Sequence, residues 1–261
     1  MMRNNNYKRN TLSFRQSYSL FNKKLNVDLS LNYVQAKTKN RPGGGTVMNP
    51  LYDLYRMPRN VDLNYYKENY YIENGKWTSN EQSYFDSKNN KWTTGTVELT
   101  GPKQEWAYWQ NGMNNPYWMV NTRNSISEEE RAYGYISANY QIIDGLKIQG
   151  RLSLDRTKMK GTSERMATTW NISAMEDYGM YGQDLNWINE VYVDALLSYD
   201  KQIKDFSISA TTGWTGHTLK GETQKLWAKA TTANWKHDTM PTLINFFEPS
   251  VSQGNVSERS Y

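Results

Sequence analysis

The sequence predicts an all-β fold: an antiparallel up-and-down wall of about six strands from a transmembrane β-barrel, carrying long extracellular loops. Three observations predict it. Six segments alternate apolar and polar residues at period two. Short turns join these segments in pairs, whereas the connections between pairs are long. The composition is also that of a half-wet surface: aromatics reach 14%, with 20 Tyr and 10 Trp against 6 Phe, while hydrophobic residues total only 37%. Rings with a polar handle favour places where one end is dry and the other wet, such as the girdles of membrane barrels.

The first segment, 7–19, alternates Leu12, Phe14, Gln16 and Tyr18 with Thr11, Ser13, Arg15 and Ser17. After a short turn around Asn22, segment 25–36 sets Leu25, Val27, Leu29, Leu31 and Tyr33 against Asn26, Asp28, Ser30 and Asn32. The same unit returns over 131–141, with Ala132, Gly134, Ile136, Ala138 and Tyr140 on one face. It turns through Asp144-Gly145 into 146–156, with Leu146, Ile148, Gly150, Leu152 and Leu154. Asp-Gly predicts a type I′ turn, in which both central residues need positive φ. The third copy joins 187–199, carrying Val191, Val193, Ala195, Leu197 and Tyr199, to 206–215, carrying Phe206, Ile208, Ala210, Thr212 and Trp214. In each copy Tyr18, Tyr140 or Tyr199 closes the apolar face next to the turn.

Charges separate by face. Arg15, Asp28, Lys147, Arg151, Asp155, Glu190 and Asp194 all fall opposite the apolar residues, and no charge stands among the apolar-face residues named on the six strands. One Arg or Lys facing lipid at mid-bilayer would cost about 2–4 kcal/mol, so clean faces suit a lipid-facing wall. Alternation alone fits a half-buried sheet in a soluble sandwich equally well. Loop lengths separate the two. Connections 37–130, 157–186 and 216–261 far exceed the ~8–12-residue turn spacing of a sandwich, and short turns opposite long loops are the pattern of an outer-membrane barrel.

Composition excludes other classes. Thirty-one basic and 26 acidic residues are spread without a long basic run, so no nucleic-acid partner is expected. The chain has no cysteine, hence no disulfide, thiolate metal site or cysteine nucleophile. No apolar run approaches the ~20 residues of a membrane-spanning helix, while a barrel strand needs only ~9–11.

Several phrases resemble SusC/RagA proteins, a family of TonB-linked outer-membrane importers. They are Tyr7-Lys8-Arg9-Asn10 and Asn49-Pro50-Leu51-Tyr52-Asp53-Leu54-Tyr55-Arg56-Met57-Pro58, then Asn115-Pro116-Tyr117-Trp118 and Ala195-Leu196-Leu197-Ser198-Tyr199. The resemblance implies a plugged barrel of about 22 strands, of which residues 1–261 supply a partial wall that starts and stops inside the barrel, without its plug domain. It implies residence in the outer membrane, contact with its lipid, and import of an oligosaccharide or peptide. A SusD-like surface lipoprotein and, through the plug, the TonB complex are the implied partners. The rival from another class is a secreted carbohydrate-binding β-sandwich.

No catalytic constellation is expected, and no cofactor. His217 and His237 are the only histidines, too far apart and without cysteine, so they read as scattered solvated residues and no metal site is expected. Gly43-Gly44-Gly45 lacks the Gly-Lys-Ser/Thr ending of a phosphate loop. Glu128, Glu129 and Glu130 read as a charged turn rather than an acid–base pair. Candidate substrate-binding residues are the rings of the first long loop, Trp77, Trp92, Trp106, Trp109, Tyr117 and Trp118, which could stack on sugars or grip a peptide. The same rings could instead form the loop's own small core. Arg15, Asp28, Tyr133, Tyr135, Asn139, Arg151, Asp155, Tyr192 and Asp194 are expected to face the lumen.

Overall fold

A computed structural model describes residues 4–41, 48–108, 112–171, 174–176, 179–229 and 250–260. In chain order the elements are β1 (Asn6–Leu20), β2 (Leu25–Lys39), α1 (Pro50–Arg56), α2 (Leu63–Glu68), β3 (Tyr71–Asp86), β4 (Lys91–Gln104) and α3 (Pro116–Thr122). There follow β5 (Asn124–Ile143), β6 (Leu146–Arg165), β7 (Thr169–Asn171), β8 (Ala174–Glu176), β9 (Met180–Ile203), β10 (Phe206–Lys229) and β11 (Ser250–Ser260). Seven strands form one antiparallel sheet in the order β1-β2-β5-β6-β9-β10-β11, so each main strand lies beside its sequence neighbour among them. β3–β4 and β7–β8 are separate two-stranded hairpins.

Turn chemistry sets the register. Between β5 and β6 only Gly145 takes a left-handed conformation, φ 85°, and the pairing slips between Gln141 and Ile143. The turn therefore closes through an irregular register and not through the expected type I′ pair of positive φ values. Glycine is needed here for a second reason. A Cβ at this position would lie 2.5 Å from the carbonyl oxygen of Asp200, whose amide donates to the Gly145 carbonyl at 2.8 Å. That bond ties the β5–β6 turn to the end of β9.

Paired residues in a sheet share a face, so the register aligns the apolar residues across strands. One row runs Gln16, Leu29, Ile136, Leu152, Val193, and the next runs Tyr18, Val27, Ala138, Gly150, Ala195, Trp214. From Leu25 to Tyr33 the face spans nine residues of β2, within reach of the ~9–11 that a tilted strand needs to cross a bilayer. Among the described residues no second sheet packs on it, and Leu12, Phe14, Leu154, Ile208 and Trp214 are all exposed. Among the described residues no sealed interior of the sandwich kind forms.

The strands continue past the segments read from the sequence. β5 begins at Asn124, β6 runs to Arg165, β9 begins at Met180 and β10 ends at Lys229. From Arg156 at the edge of the sequence-read segment onward, the face that was apolar becomes charged, with Lys158 and Lys160 on the extension of β6 and Lys37 on that of β2. The charge-free face is thus a band, bounded by the turns at one end and by a charged fringe at the other. The long connections also hold more structure than expected: 37–130 contains three helices and the β3–β4 hairpin, 157–186 contains β7 and β8, and 216–261 contains the end of β10 and all of β11.

Most of the buried core lies in these connections. Trp77, Leu99, Trp106, Met113, Trp118, Met119 and Ala167 are buried there, against Val34 and Ala36 in β2. No helix among the described residues is long and apolar enough to cross a membrane.

Candidate functional site

The polar face of the sheet and the cap built by the long connections are the two places where the sequence concentrates chemistry. On the polar face, Arg15, Tyr135 and Tyr192 share one cross-strand row with Ser30 and Ser153. Asp28, Arg151 and Asp194 share the next, Tyr133 and Asp155 a third, and Asn139 a fourth. All nine residues expected to face a lumen therefore stand on one side of one sheet.

Three of their five charges, those of Arg151, Asp155 and Asp194, are in ion pairs. Arg151 Nε donates to Asp194 Oδ2 at 2.7 Å, and its guanidinium lies 5.6 Å from the centre of the Tyr192 ring. Arg131 Nε donates to both carboxylate oxygens of Asp155 at 3.0 and 3.2 Å, and its guanidinium lies over Tyr133 at 4.8 Å. The Ser17 hydroxyl donates to Asp28 Oδ1 at 2.5 Å. Asp194 is only 3% exposed, and a carboxylate that far from water needs its cation. Arg15, Tyr133, Tyr135, Arg151, Asp155 and Tyr192 line a concavity of about 530 Å³ that runs over β1, β2, β5, β6 and β9.

Sequence reasoning missed one member. His217 is not a scattered solvated residue: its Nε2 lies 2.8 Å from Glu190 Oε1, and its ring lies 6.5 Å from that of Tyr192. Ending the last strand near 215 hid its place on the polar face. Extending the alternation of β10 by one step past Thr215 would have found it. His237 and the Gly43–Gly45 run lie outside the described residues. Among the described residues no three His, Asp or Glu side chains gather as metal ligands.

The three glutamates at 128–130 lie within β5, not on a turn. Successive strand residues point to opposite faces, so Glu129 is turned away from Glu128 and Glu130. Glu128 is paired with Lys37 at 2.6 Å.

The cap is assembled by two Asn-Pro pairs. Asn49 and Asn115 are N-caps, accepting from the backbone amides of Leu51 at 3.1 Å and Tyr117 at 2.8 Å, with proline just inside each helix. The helices so started, α1 and α3, pack on each other. Around them buried polar groups form a closed set. Asp53 Oδ2 accepts from the Asn114 amide at 3.2 Å, and Asn114 Oδ1 accepts from Gln104 Nε2 at 3.1 Å and from the Trp170 amide at 2.8 Å. Gln104 Oε1 accepts from the Asn115 amide at 2.9 Å, while the Gln104 amide donates to Thr168 Oγ1 at 3.1 Å and its side-chain nitrogen to the Thr168 carbonyl. Residues 104–118 are thereby fastened to residues 168–170 from the next long connection. Burial pushes the Asp53 carboxyl up to about 6, outweighing the Asn114 hydrogen bonds and nearby Arg56, which lower it.

The aromatic candidates separate accordingly. Trp118 is 1% exposed, donates through Nε1 to Thr169 Oγ1 at 2.9 Å and lies beside Tyr70 and Tyr71. Trp106 is buried edge-to-face against Tyr66 and Tyr108, and Trp77 is buried as well. All three are buried and leave no ring face open for a ligand to stack on. Tyr117 is half-buried on α3, one position from Trp118. Trp92 lies on β4, and Trp109 lies outside the described residues.

Comparison with known proteins gives a likeness of fold. No family model matches the chain, and no curated protein matches it. Solved structures do. The chain is similar to a structure of the RagAB peptide transporter, at 16% identity and a TM-score of 0.54, over 97% of this chain and 25% of that one. It is similar also to the RagAB peptide importer in the "open-open" state, at 15% identity and a TM-score of 0.57, with the same coverage. The chain thus spans about a quarter of the length of the chains it matches, and at this identity the likeness is one of fold: an antiparallel stretch of β-barrel wall.

Proposed function

We propose that the chain is part of the wall and outer loops of a SusC/RagA-type importer in the outer membrane, with its apolar face on lipid and its polar face on the lumen. One observation carries the reading: a single sheet bears a continuous, uncovered apolar band on one side and paired charges on the other. In water such a band would invite association, whereas in hydrocarbon it is at its most stable. The polar face would line the path of an oligosaccharide or peptide, or pack against a plug. The cap would stand outside, under a SusD-like lipoprotein, and the TonB complex would supply the force through the plug. This reading needs no catalytic residue and makes the chain no enzyme.

The test is a clean deletion of the gene, complemented by the intact protein. Expected are loss of growth on the one oligosaccharide or peptide source that the protein imports, its return on complementation, and recovery of the protein with outer-membrane lipid. Recovery as a soluble, monomeric protein of the periplasm or medium would favour the carbohydrate-binding sandwich instead.

A further inference from the structure

The apolar band is not flat. Between β2 and β6 it sinks into a furrow of about 630 Å³. Its floor is Ala132 and Gly134 on β5, where large residues are lacking, and its sides are Leu31 and Tyr33 on β2 and Leu152 and Leu154 on β6. At Gly134 the floor admits no side chain, since a Cβ there would come 2.2 Å from the Ser30 carbonyl oxygen. Arg156, on the same face and also lining the furrow, stands at its end nearest the long connections, paired in register with Ala132. The Arg156 side chain is exposed, and no hydrogen bond or ion pair engages it among the described residues. Lys158 and Lys160 follow it along the same face, and of the cations there Lys37 is already held by Glu128.

An apolar slot ending in an unpaired guanidinium has the chemistry of one molecule: an acyl chain with an anion at its head. We infer that this furrow binds an anionic, phosphate-bearing membrane lipid, one acyl chain lying between β2 and β6 and the phosphate meeting Arg156. The inference rests on the wall reading above. The apolar lining of the slot accepts the acyl chain of any lipid by shape and van der Waals contact, and Arg156 selects the anionic one. Arginine suits the role because its planar fork presents two N–H groups to a phosphate. The occupant is a lipid of the leaflet on the long-connection side, because Arg156 lies at that end of the band and the turns lie at the other.

The experiment uses the intact protein in mild detergent, given equal amounts of phosphatidylglycerol and phosphatidylcholine with identical chains, with native mass spectrometry reading the lipid retained. One arginine near an anionic lipid is worth about fivefold in binding, so wild type is expected to retain phosphatidylglycerol about fivefold over phosphatidylcholine. Arg156→Gln is expected to bring the ratio close to unity and Arg156→Lys to restore part of it, while Ala132→Phe, which fills the floor, lowers retention of both lipids. An unchanged ratio in Arg156→Gln would overturn the site while leaving the wall reading intact. Retention of neither lipid by wild type would overturn the wall reading itself. Loss of the preference in excess inorganic phosphate would show that a bare anion is recognised, and would overturn the lipid site.

Discussion

Replacing Leu152 by Arg is expected to destabilise the protein in a lipid bilayer by about 2–4 kcal/mol. Leu152 sits in the middle row of the apolar band, between Ile136 and Val193, and is exposed among the described residues. The cost therefore comes from placing a cation in hydrocarbon and not from disrupting a protein core. Gln149→Arg, three residues away on the polar face beside Asn139, is the matched control and is expected to shift stability by no more than about 1 kcal/mol. Urea unfolding from phospholipid vesicles, followed by tryptophan emission, measures both. Equal effects of the two substitutions would mean that the faces do not differ in environment.

The second large effect is expected from Trp118→Ala. Trp118 is fully buried where α3 meets β7 and the Tyr70–Tyr71 pair, and truncating a buried Trp costs about 3–5 kcal/mol. Its loss also leaves the Thr169 hydroxyl without its indole donor. Because the cap has a core of its own, the damage should stay there. Hydrogen exchange is expected to lose amide protection over residues 50–123 and 166–171, while β5, β6, β9 and β10 keep theirs. Unchanged protection in the cap would show that Trp118 is not its keystone, and uniform loss would show that cap and sheet unfold together.

The parts of the fold legible in the sequence were those with one wet and one dry side. From Leu25 to Tyr33 or Leu146 to Leu154 each residue declares its face, because hydrocarbon-suited and water-suited side chains alternate. Beyond the band both sides are polar, so Thr157 to Arg165 in β6 shows no such contrast and reads as a loop even though it remains a strand. The same loss of contrast hid the upper half of β10, and His217 with it. Pairing in register, not amphipathicity, extends these strands.

The cap was illegible for a different reason. Gln104, Asn114 and Thr168 look like surface residues, and only their mutual hydrogen bonds allow them to be buried. Their partners come from separate connections, which no local pattern reveals. The tryptophans read equally well as ligand platforms or as core, and geometry assigns Trp77, Trp106 and Trp118 to the core. The Asn-Pro pairs at 49–50 and 115–116 were the one local sign, since an N-cap followed by proline starts a helix.

The absence of native cysteine allows the most direct test of the central claim. Single cysteines placed in turn at positions 146 to 154, each carrying a nitroxide, are to be measured in a bilayer for collision with dissolved oxygen, which concentrates in hydrocarbon, and with a water-soluble nickel complex. The account predicts a period of two: oxygen collisions peak at 146, 148, 150, 152 and 154, and nickel collisions peak at the positions between. Exclusion of both reagents from the even positions would mean that protein and not lipid covers that face, and would contradict the account.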